Sequence, residues 1–537
     1  MRREVSQGKL IFLVSLFLVV FDNISFFNNV LKVYPFAGNN IYFLISLAVV
    51  LFLFTNILLT LISSKYTTKP LLIIIVFVSA FTNYFMNTYS IVIDDSMIQN
   101  SIQTNFNESF DLLSLELIAY VFFLGIVPAY FIYKTPIEYK SFKQEIYLKL
   151  KSLVFSLVVI AILVLSFSKY YTSFFREHKT LRYHTNPTYW IYSLGKYINT
   201  TFNSAPTVVK SIGDDAKITE PITDEKKELV IMVVGEAARA DRFSLNGYEK
   251  ETNPLLKQED IINFSNVSSC GTSTAVSVPC MFSIFGKDDY DYKKGIGTQN
   301  ILDVIAKSGV KVLWRDNNSD SKGVALRVAF EDYRTPERNT ICIDGECRDV
   351  GMLVGLGKFV EENKGKDILI VLHQMGNHGP AYYKRYPKQF EKFTPVCKTN
   401  QLEQCTKEEL SNAYDNAILY TDYFLSQVIN FLKPYENTHE TAMIYMSDHG
   451  ESLGENGLYL HGMPYFMAPD SQTKVGAMMW FGSEDIKEDV NLEKLKTYKD
   501  KPFSHDYLFS TLLDIFEVDT KLYDKKLDIL HDATTAK

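Results

Sequence analysis

The sequence predicts a chain in two parts: five membrane-crossing helices, then a soluble α/β domain. Two observations carry this. Long apolar stretches dominate up to about residue 170, whereas the chain after about residue 215 has the composition of a soluble protein, so a mean hydropathy near zero conceals two unlike halves of the 537 residues. In the second part, short apolar runs alternate with amphipathic stretches, the pattern of a doubly wound α/β fold.

The apolar segments lie near 10–28, 41–63, 70–90, 112–133 and 152–169. Each is long enough to span a bilayer, which takes roughly 20 residues. The first follows Arg2, Arg3 and Lys9 in the manner of a signal peptide but runs on without a small-residue cleavage site, so it reads as a retained anchor. Basic residues set the orientation. Arg2, Arg3 and Lys9 flank the start, Lys65 and Lys69 fill the second connection, and Lys134, Lys140, Lys143, Lys149 and Lys151 fill the fourth. The first connection holds only Lys32, and the third holds Asp94, Asp95 and Glu108 without a base. The amino terminus and even-numbered connections are therefore expected in the cytoplasm, and everything after residue 170 on the far side.

Cysteine usage names the same compartment. All six cysteines lie in the soluble part, as the near neighbours Cys270 and Cys280, Cys342 and Cys347, and Cys397 and Cys405. These short spacings favour local pairing among the many connectivities open to them. Disulfides persist in oxidising compartments such as the bacterial periplasm. Net charge is −7 with no extended basic run, which speaks against a nucleic-acid partner. A P-loop, a dinucleotide fingerprint and internal repeats are absent from the sequence.

Tyr170 to Phe202 mixes aromatics with Arg176, Lys179, Arg182 and Lys196, a composition suited to helices in the membrane interface. Lys210 to Lys227 is polar with little apolar periodicity and is the expected domain boundary. The expected domains are thus 1–170, a join over 171–225, and 226–537. Beyond the join, strands are expected at 229–234, 310–314, 368–372, 442–446 and 477–481, and helices at 299–308, 351–363, 407–433 and 506–516. Ser504-His505-Asp506 opens the last helix and reads as a cap.

Three of these strands lead into chemistry-bearing residues. Leu229–Val234 runs into Gly235-Glu236, Ile368–Leu372 into His373 and then His378, and Ala442–Met446 into Ser447-Asp448-His449-Gly450, with His461 further on. Short apolar runs of this kind read as buried parallel strands, and open α/β sheets gather their chemistry at the strands' carboxyl ends. Glu236, Asp448 and His449 offer two carboxylates and an imidazole. Thr274, in the hydroxyl-rich loop Cys270-Gly-Thr-Ser-Thr-Ala-Val-Ser-Val-Pro-Cys280, would complete a tetrahedral Zn²⁺ shell. A threonine hydroxyl on a metal loses its proton more readily and becomes a usable nucleophile. Thr274 also lies at the start of an expected helical turn, whose free N–H groups can receive phosphate oxygens.

These residues resemble those of the bacterial lipid A phosphoethanolamine transferases, the family that includes the mobile colistin-resistance enzymes. The matching stretches are Val234-Gly-Glu-Ala-Ala-Arg-Ala-Asp241, Ser269 to Ser283, Trp314-Arg-Asp-Asn-Asn-Ser-Asp-Ser-Lys322, Leu372-His-Gln-Met-Gly-Asn-His-Gly-Pro380, Ser447 to Gly457 and His461-Gly-Met-Pro464. The resemblance covers nearly the whole chain and includes the spans and the cysteine pairs. It implies an alkaline-phosphatase/sulfatase-like catalytic domain in the periplasm, anchored in the inner membrane by five helices. It assigns Glu236, Thr274, Asp448 and His449 to Zn²⁺ with Thr274 as nucleophile, chosen over its neighbour Thr272. It places His378 and His461 beside the phosphoryl group with Lys322 nearby.

The resemblance further implies disulfides Cys270–Cys280, Cys342–Cys347 and Cys397–Cys405, and a headgroup-binding stretch in which Asn100, Thr104 and Glu108 match family positions. Their spacing of four places them on one face of a helix, with Glu108 set to pair an ammonium. The implied reaction moves phosphoethanolamine from phosphatidylethanolamine, through a phosphoethanolamine-threonine intermediate, to lipid A or another envelope phosphate. The consequence would be less negative surface charge and polymyxin resistance, and the expected working form is a monomer. One position departs from the family: Ala237 stands where a threonine is usual. No Cys-x-Pro/Ala-x-Arg signal marks a sulfatase nucleophile in this loop.

Overall fold

The structure is a computed structural model that describes residues 4–104, 112–176, 178–202, 208–219, 226–343, 345–483, 486 and 490–533. The chain forms two compact units, Met1–Ile98 with Leu113–Ile198 and Gln99–Leu112 with Asn199–Lys537.

In the first unit the apolar segments fold as α1 (Gln7–Phe21), α2 (Ile24–Val33), α3 (Asn40–Ile62) and α4 (Thr68–Thr88). The short α5 (Asp95–Gln103) follows, and then α6 (Leu115–Lys134) and α7 (Phe142–Ser166). Among the described residues α3, α4, α6 and α7 are long and apolar enough to cross a membrane, and α1 with α2 adds a fifth span if that pair, bent by 55°, counts as one. The bend falls at Asp22-Asn23, where Asn23 Nδ2 donates to Leu18 O and caps the end of α1. Inside α6 a wide turn at Val121–Ile126 precedes Pro128, whose missing N–H the helix must accommodate. Leu10, Val14, Leu18, Leu59, Leu72 and Val76 pack into one interior. Ile45, Phe155, Leu157 and Ile162 stay exposed, as suits side chains bathed in lipid. The aromatic stretch after α7 forms α8 (Ser168–Arg176), a 3₁₀ turn at Lys179–His184 and α9 (Thr188–Phe202).

The second unit is built on an eight-stranded sheet. Its strands are β1 (Lys227–Gly235), β2 (Ile261–Ser268), β3 (Lys311–Asp316) and β4 (Ala329–Asp332), then β5 (Ile368–His373), β6 (His439–Ser447), β7 (Lys474–Phe481) and β8 (Phe503–Ser504). Their order across the sheet is β8-β2-β7-β6-β1-β5-β3-β4. From β6 to β4 every pairing is parallel, while β7 runs antiparallel to both of its neighbours. Leu229–Val234, Ile368–Leu372 and Ala442–Met446 are wholly buried, which is why they read as continuous apolar runs rather than alternating ones.

The expected helices of this unit appear as α10 (Thr274–Met281), α11 (Ile301–Ser308), α12 (Lys407–Leu432) and α13 (Leu508–Ile515), with two shorter pieces, Asp349–Leu353 and Leu356–Glu362, in place of one helix over 351–363. Gly355 at φ +70° interrupts that stretch. α12 begins with a capping box, Thr406 with Glu409. Part of the polar stretch expected as a linker is held to this unit. Lys210 N donates to Gly297 O at 2.8 Å, and Lys217–Ile218 pairs with Val518–Asp519.

Candidate metal centre and active site

Register brings the site together. Ser447 on β6 pairs with Gly235 on β1, so Glu236 and Asp448 leave the sheet side by side. His449 follows directly. The ligand atoms of Glu236, Asp448 and His449 lie within 4.8 Å of one another, and all three residues are fully buried. His449 Nε2 stands 3.4 Å from Glu236 Oε1 and 3.4 Å from Asp448 Oδ2. The expected nucleophile joins them. Thr274 is the first residue of α10, and its Oγ1 lies 3.1 Å from Glu236 Oε2 and 3.4 Å from His449 Nε2.

The donor set fits a metal ion. Asp448 uses Oδ1 to accept from the backbone N–H groups of Ala237 and His449, at 3.1 and 2.7 Å, while its buried Oδ2 takes no hydrogen bond among the described residues. The Nδ1 of His449 is 2.8 Å from Gly450 O, so it carries the proton and leaves the Nε2 lone pair turned to the cluster. Burial pushes this imidazole down to about 4, which keeps it neutral, as a ligand must be. Glu236 is oriented in turn by Asn318, whose Nδ2 donates to Oε2 at 2.8 Å and to Gln374 O at 2.7 Å. Gly376, at φ +46°, passes so close to Glu236 that a Cβ would sit 2.9 Å from its carbonyl oxygen. Ala237 keeps a left-handed backbone, φ +51°, beside the ligand.

The second rank of residues surrounds this centre. The His461 ring lies 4.3 Å from His449 and 5.9 Å from His378, centroid to centroid. His461 Nδ1 is 3.3 Å from Glu451 Oε2, a carboxyl that burial raises above its usual range. His378 is partly buried, and desolvation, reinforced by Arg385 and the neighbouring histidines, drives it well below the usual imidazole range. Lys322 Nζ donates to Ser319 O at 2.7 Å and Gln103 O at 3.2 Å. The segment Gln99–Thr104 approaches α10 as well, through Gln99 Nε2 and Ala275 O at 3.5 Å.

Some expectations change. Asn100 lies on α5, but the helix ends at Gln103, so Thr104 falls just beyond it and donates its hydroxyl back to Asn100 O at 2.7 Å. Glu108 lies outside the described residues. His373 turns away from the metal cluster: its Nδ1 pairs with Asp316 Oδ2 at 2.8 Å across the β5–β3 register. Ser504 caps the turn before α13 through Asp506 N, and His505 is a buried strut between Cys270 N and Ser447 O. Asn318 and Glu451 escaped the sequence reading although both lie inside the matching stretches.

The cysteines divide by position. Cys270 is joined to Cys280, which lies on α10 with Thr274, so this disulfide braces the loop that carries Thr274. Cys342 is joined to Cys347 and Cys397 to Cys405, and no free cysteine is found among the described residues. These last four take no part in the ligand cluster, which consists of Glu236, Asp448 and His449. Cys342 and Cys347 face each other across the short antiparallel hairpin Cys342–Ile343 with Glu346–Cys347. Cys405 immediately precedes the Thr406 cap of α12, and Cys397 N donates to Glu409 O at 3.0 Å in the first turn of that helix. Cys342, Cys347, Cys397 and Cys405 are therefore staples of the scaffold and not members of the chemical site.

Comparison with known proteins agrees with this geometry. The Sulfatase family profile matches residues 228–518, and the phosphoethanolamine transferase EptA/EptB profile matches 51–202. The phosphatidylethanolamine transferase Mcr-1 of Escherichia coli is 45% identical over 528 residues, 96% of either chain. The chain belongs to the phosphoethanolamine transferase family. Among solved structures, the integral membrane lipooligosaccharide phosphoethanolamine transferase A of Neisseria meningitidis superposes with a TM-score of 0.95 at 34% identity, covering 99% of this chain and 100% of that one. The C-terminal periplasmic domain of phosphoethanolamine transferase EptC from Campylobacter jejuni gives 0.54 at 41% identity, covering 62% of this chain and all of that one. Like its relatives, this phosphoethanolamine transferase family member is a multi-pass inner-membrane protein with a sulfatase-like domain in the periplasm.

Proposed function

We propose that the protein is a zinc-dependent enzyme that transfers phosphoethanolamine from phosphatidylethanolamine to phosphate groups of lipid A through an intermediate on Thr274. The observation that carries this reading is a buried threonine hydroxyl at a helix start, 3.1 Å from Glu236 Oε2 and 3.4 Å from His449 Nε2, in a chain 45% identical to a phosphatidylethanolamine transferase. Glu236, Asp448, His449 and Thr274 would hold the Zn²⁺, which when bound lowers the pKa of a coordinated hydroxyl and polarises a phosphoryl oxygen.

Thr274 Oγ1 then attacks phosphorus, the Oγ1–P bond forms, and the bond to the diacylglycerol oxygen breaks. Diacylglycerol leaves with a proton. His461, which lies beside Glu451, or His378 would supply that proton, and the other histidine with Lys322 would offset charge on the phosphoryl oxygens. In the second half, an acceptor phosphate oxygen attacks phosphorus, the Oγ1–P bond breaks, and Thr274 Oγ1 takes back a proton to restore the hydroxyl. Asn100, Thr104 and Glu108 are assigned to the donor headgroup, Glu108 on its sequence position alone. One chain carries every group named, so a monomer suffices. Each transfer adds an ammonium to an anionic lipid, which weakens the attraction of cationic peptides such as polymyxin.

Mass spectrometry of lipid A from cells with and without the gene tests the proposal. Phosphoethanolamine on lipid A is expected only with the gene, and the Thr274→Ala form should leave lipid A unmodified. Unaltered lipid A beside a modified glycan or protein would reject the acceptor, and unaltered envelope components throughout would reject the transfer.

A further inference from the structure

His373 ends β5 beside the metal centre, yet no step of the reaction uses it. It pairs across the sheet with Asp316, the last residue of β3, and both are wholly buried. Its Nδ1 lies 2.8 Å from Asp316 Oδ2. Burial works against the Asp316 charge, but His373 and the surrounding hydrogen bonds hold the carboxyl below its usual range. The carboxylate therefore only accepts, and Nδ1 is the donor. His373 Nε2 has no hydrogen-bond partner among the described residues, so the ring does its polar work through Nδ1.

Asp316 passes this fixed orientation to the loop beyond β3. Trp314 Nε1 also donates to Oδ2, at 2.9 Å. The other oxygen, Oδ1, accepts from the backbone N–H groups of Asn318 and Asp320 at 3.0 and 3.1 Å. The loop needs such a hold. Asp320 and Lys322 both take left-handed backbone, φ +85° and +51°, which a residue with a side chain adopts only when its surroundings impose it. Two groups of the site depend on the path of this loop. Asn318 Nδ2 reaches Glu236 Oε2 at 2.8 Å, and Lys322 Nζ is drawn back onto Ser319 O at 2.7 Å.

We propose that Asp316, aimed by His373 Nδ1, is a positioning residue that fixes the loop over 317–322, and through it the Asn318 contact to Glu236 and the placement of Lys322. Neither Asp316 nor His373 belongs to the ligand cluster of Glu236, Asp448 and His449. The inference rests on the reading of that cluster as a zinc site.

Zinc affinity tests it, measured on the full-length protein in detergent by competition with a fluorescent chelator, with melting curves to confirm a folded sample. Leucine and asparagine have nearly the same shape, and an asparagine Nδ2 sits on Cγ as histidine Nδ1 does. His373→Leu and His373→Asn therefore remove the same ring and differ in one donor. His373→Leu should bind zinc about ten-fold more weakly than His373→Asn, which should stay near the parent. Asp316→Asn keeps the size and loses the charge, and it should also bind about ten-fold more weakly than the parent. It decides the matter if His373→Leu does not fold. Equal affinities in His373→Leu and His373→Asn, or parental affinity in Asp316→Asn, would overturn the proposal while leaving the zinc site standing. A parent that binds no zinc would overturn the zinc site and this inference together.

Discussion

Thr272 and Thr274 stand two residues apart in one loop, yet their hydroxyls face different partners. Thr272 Oγ1 donates to Met463 O at 2.6 Å, whereas Thr274 Oγ1 lies against Glu236 and His449. Thr272 is committed to the residues after His461, and Thr274 faces the candidate ligands.

The two positions should therefore respond differently to substitution. Thr274→Ala removes the nucleophile and is expected to cut transfer by about a thousand-fold or more while leaving the melting temperature near that of the parent. Thr274→Ser should retain measurable activity. Peptide mass spectrometry after incubation with phosphatidylethanolamine should place phosphoethanolamine on Thr274, and recovery on Thr272 or Ser273 would refute the assignment.

Asn318 acts through Glu236. Asn318→Ala removes the amide that fixes Oε2, and partners of this kind typically contribute about 10- to 100-fold in metal affinity. Dialysis against graded chelator, with retained zinc measured by atomic emission, should show the variant releasing metal earlier. Equal retention would reduce Asn318 to a packing role.

Acid should destabilise the protein through His505. Burial holds this imidazole at about 4 against an ordinary 6.5, so between those values the unfolded chain takes a proton that the folded one refuses. Stability is unaffected by this residue above pH 6.5 and falls as pH drops toward 4, by up to about 3 kcal/mol. Melting temperatures measured across that window should decline less steeply for His505→Asn than for the parent, and parallel slopes would contradict the assignment.

Glu108→Ala separates recognition from chemistry. Turnover of phosphatidylethanolamine should fall far more than cleavage of a small soluble phosphodiester that lacks the headgroup. Equal losses on both substrates would indicate a structural role instead.

Much of this architecture was legible because each signal is local. β1, β5 and β6 are buried on both faces and so appear as unbroken apolar runs, and the ligands at the ends of β1 and β6 follow within two residues of the last strand position. The spans announce themselves by length and hydropathy. Asn318 and Glu451 were not legible, since an amide and a carboxylate acquire their roles only when the ends of separate strands are brought together. His373 shows the reverse error. It ends β5 as Glu236 follows β1, but its ring is taken by Asp316 from the neighbouring strand.

The pairing of Ser447 with Gly235 makes the sheet a ruler. The gap between Glu236 and Asp448 is set by backbone hydrogen bonds between adjacent strands, whose spacing hardly varies, and not by the long stretch of chain that separates the two residues in sequence. Loops around the centre can lengthen, shorten or change their charge without altering that gap. Such a scaffold lets acceptor preference diverge from one relative to the next while the reaction at the centre stays the same.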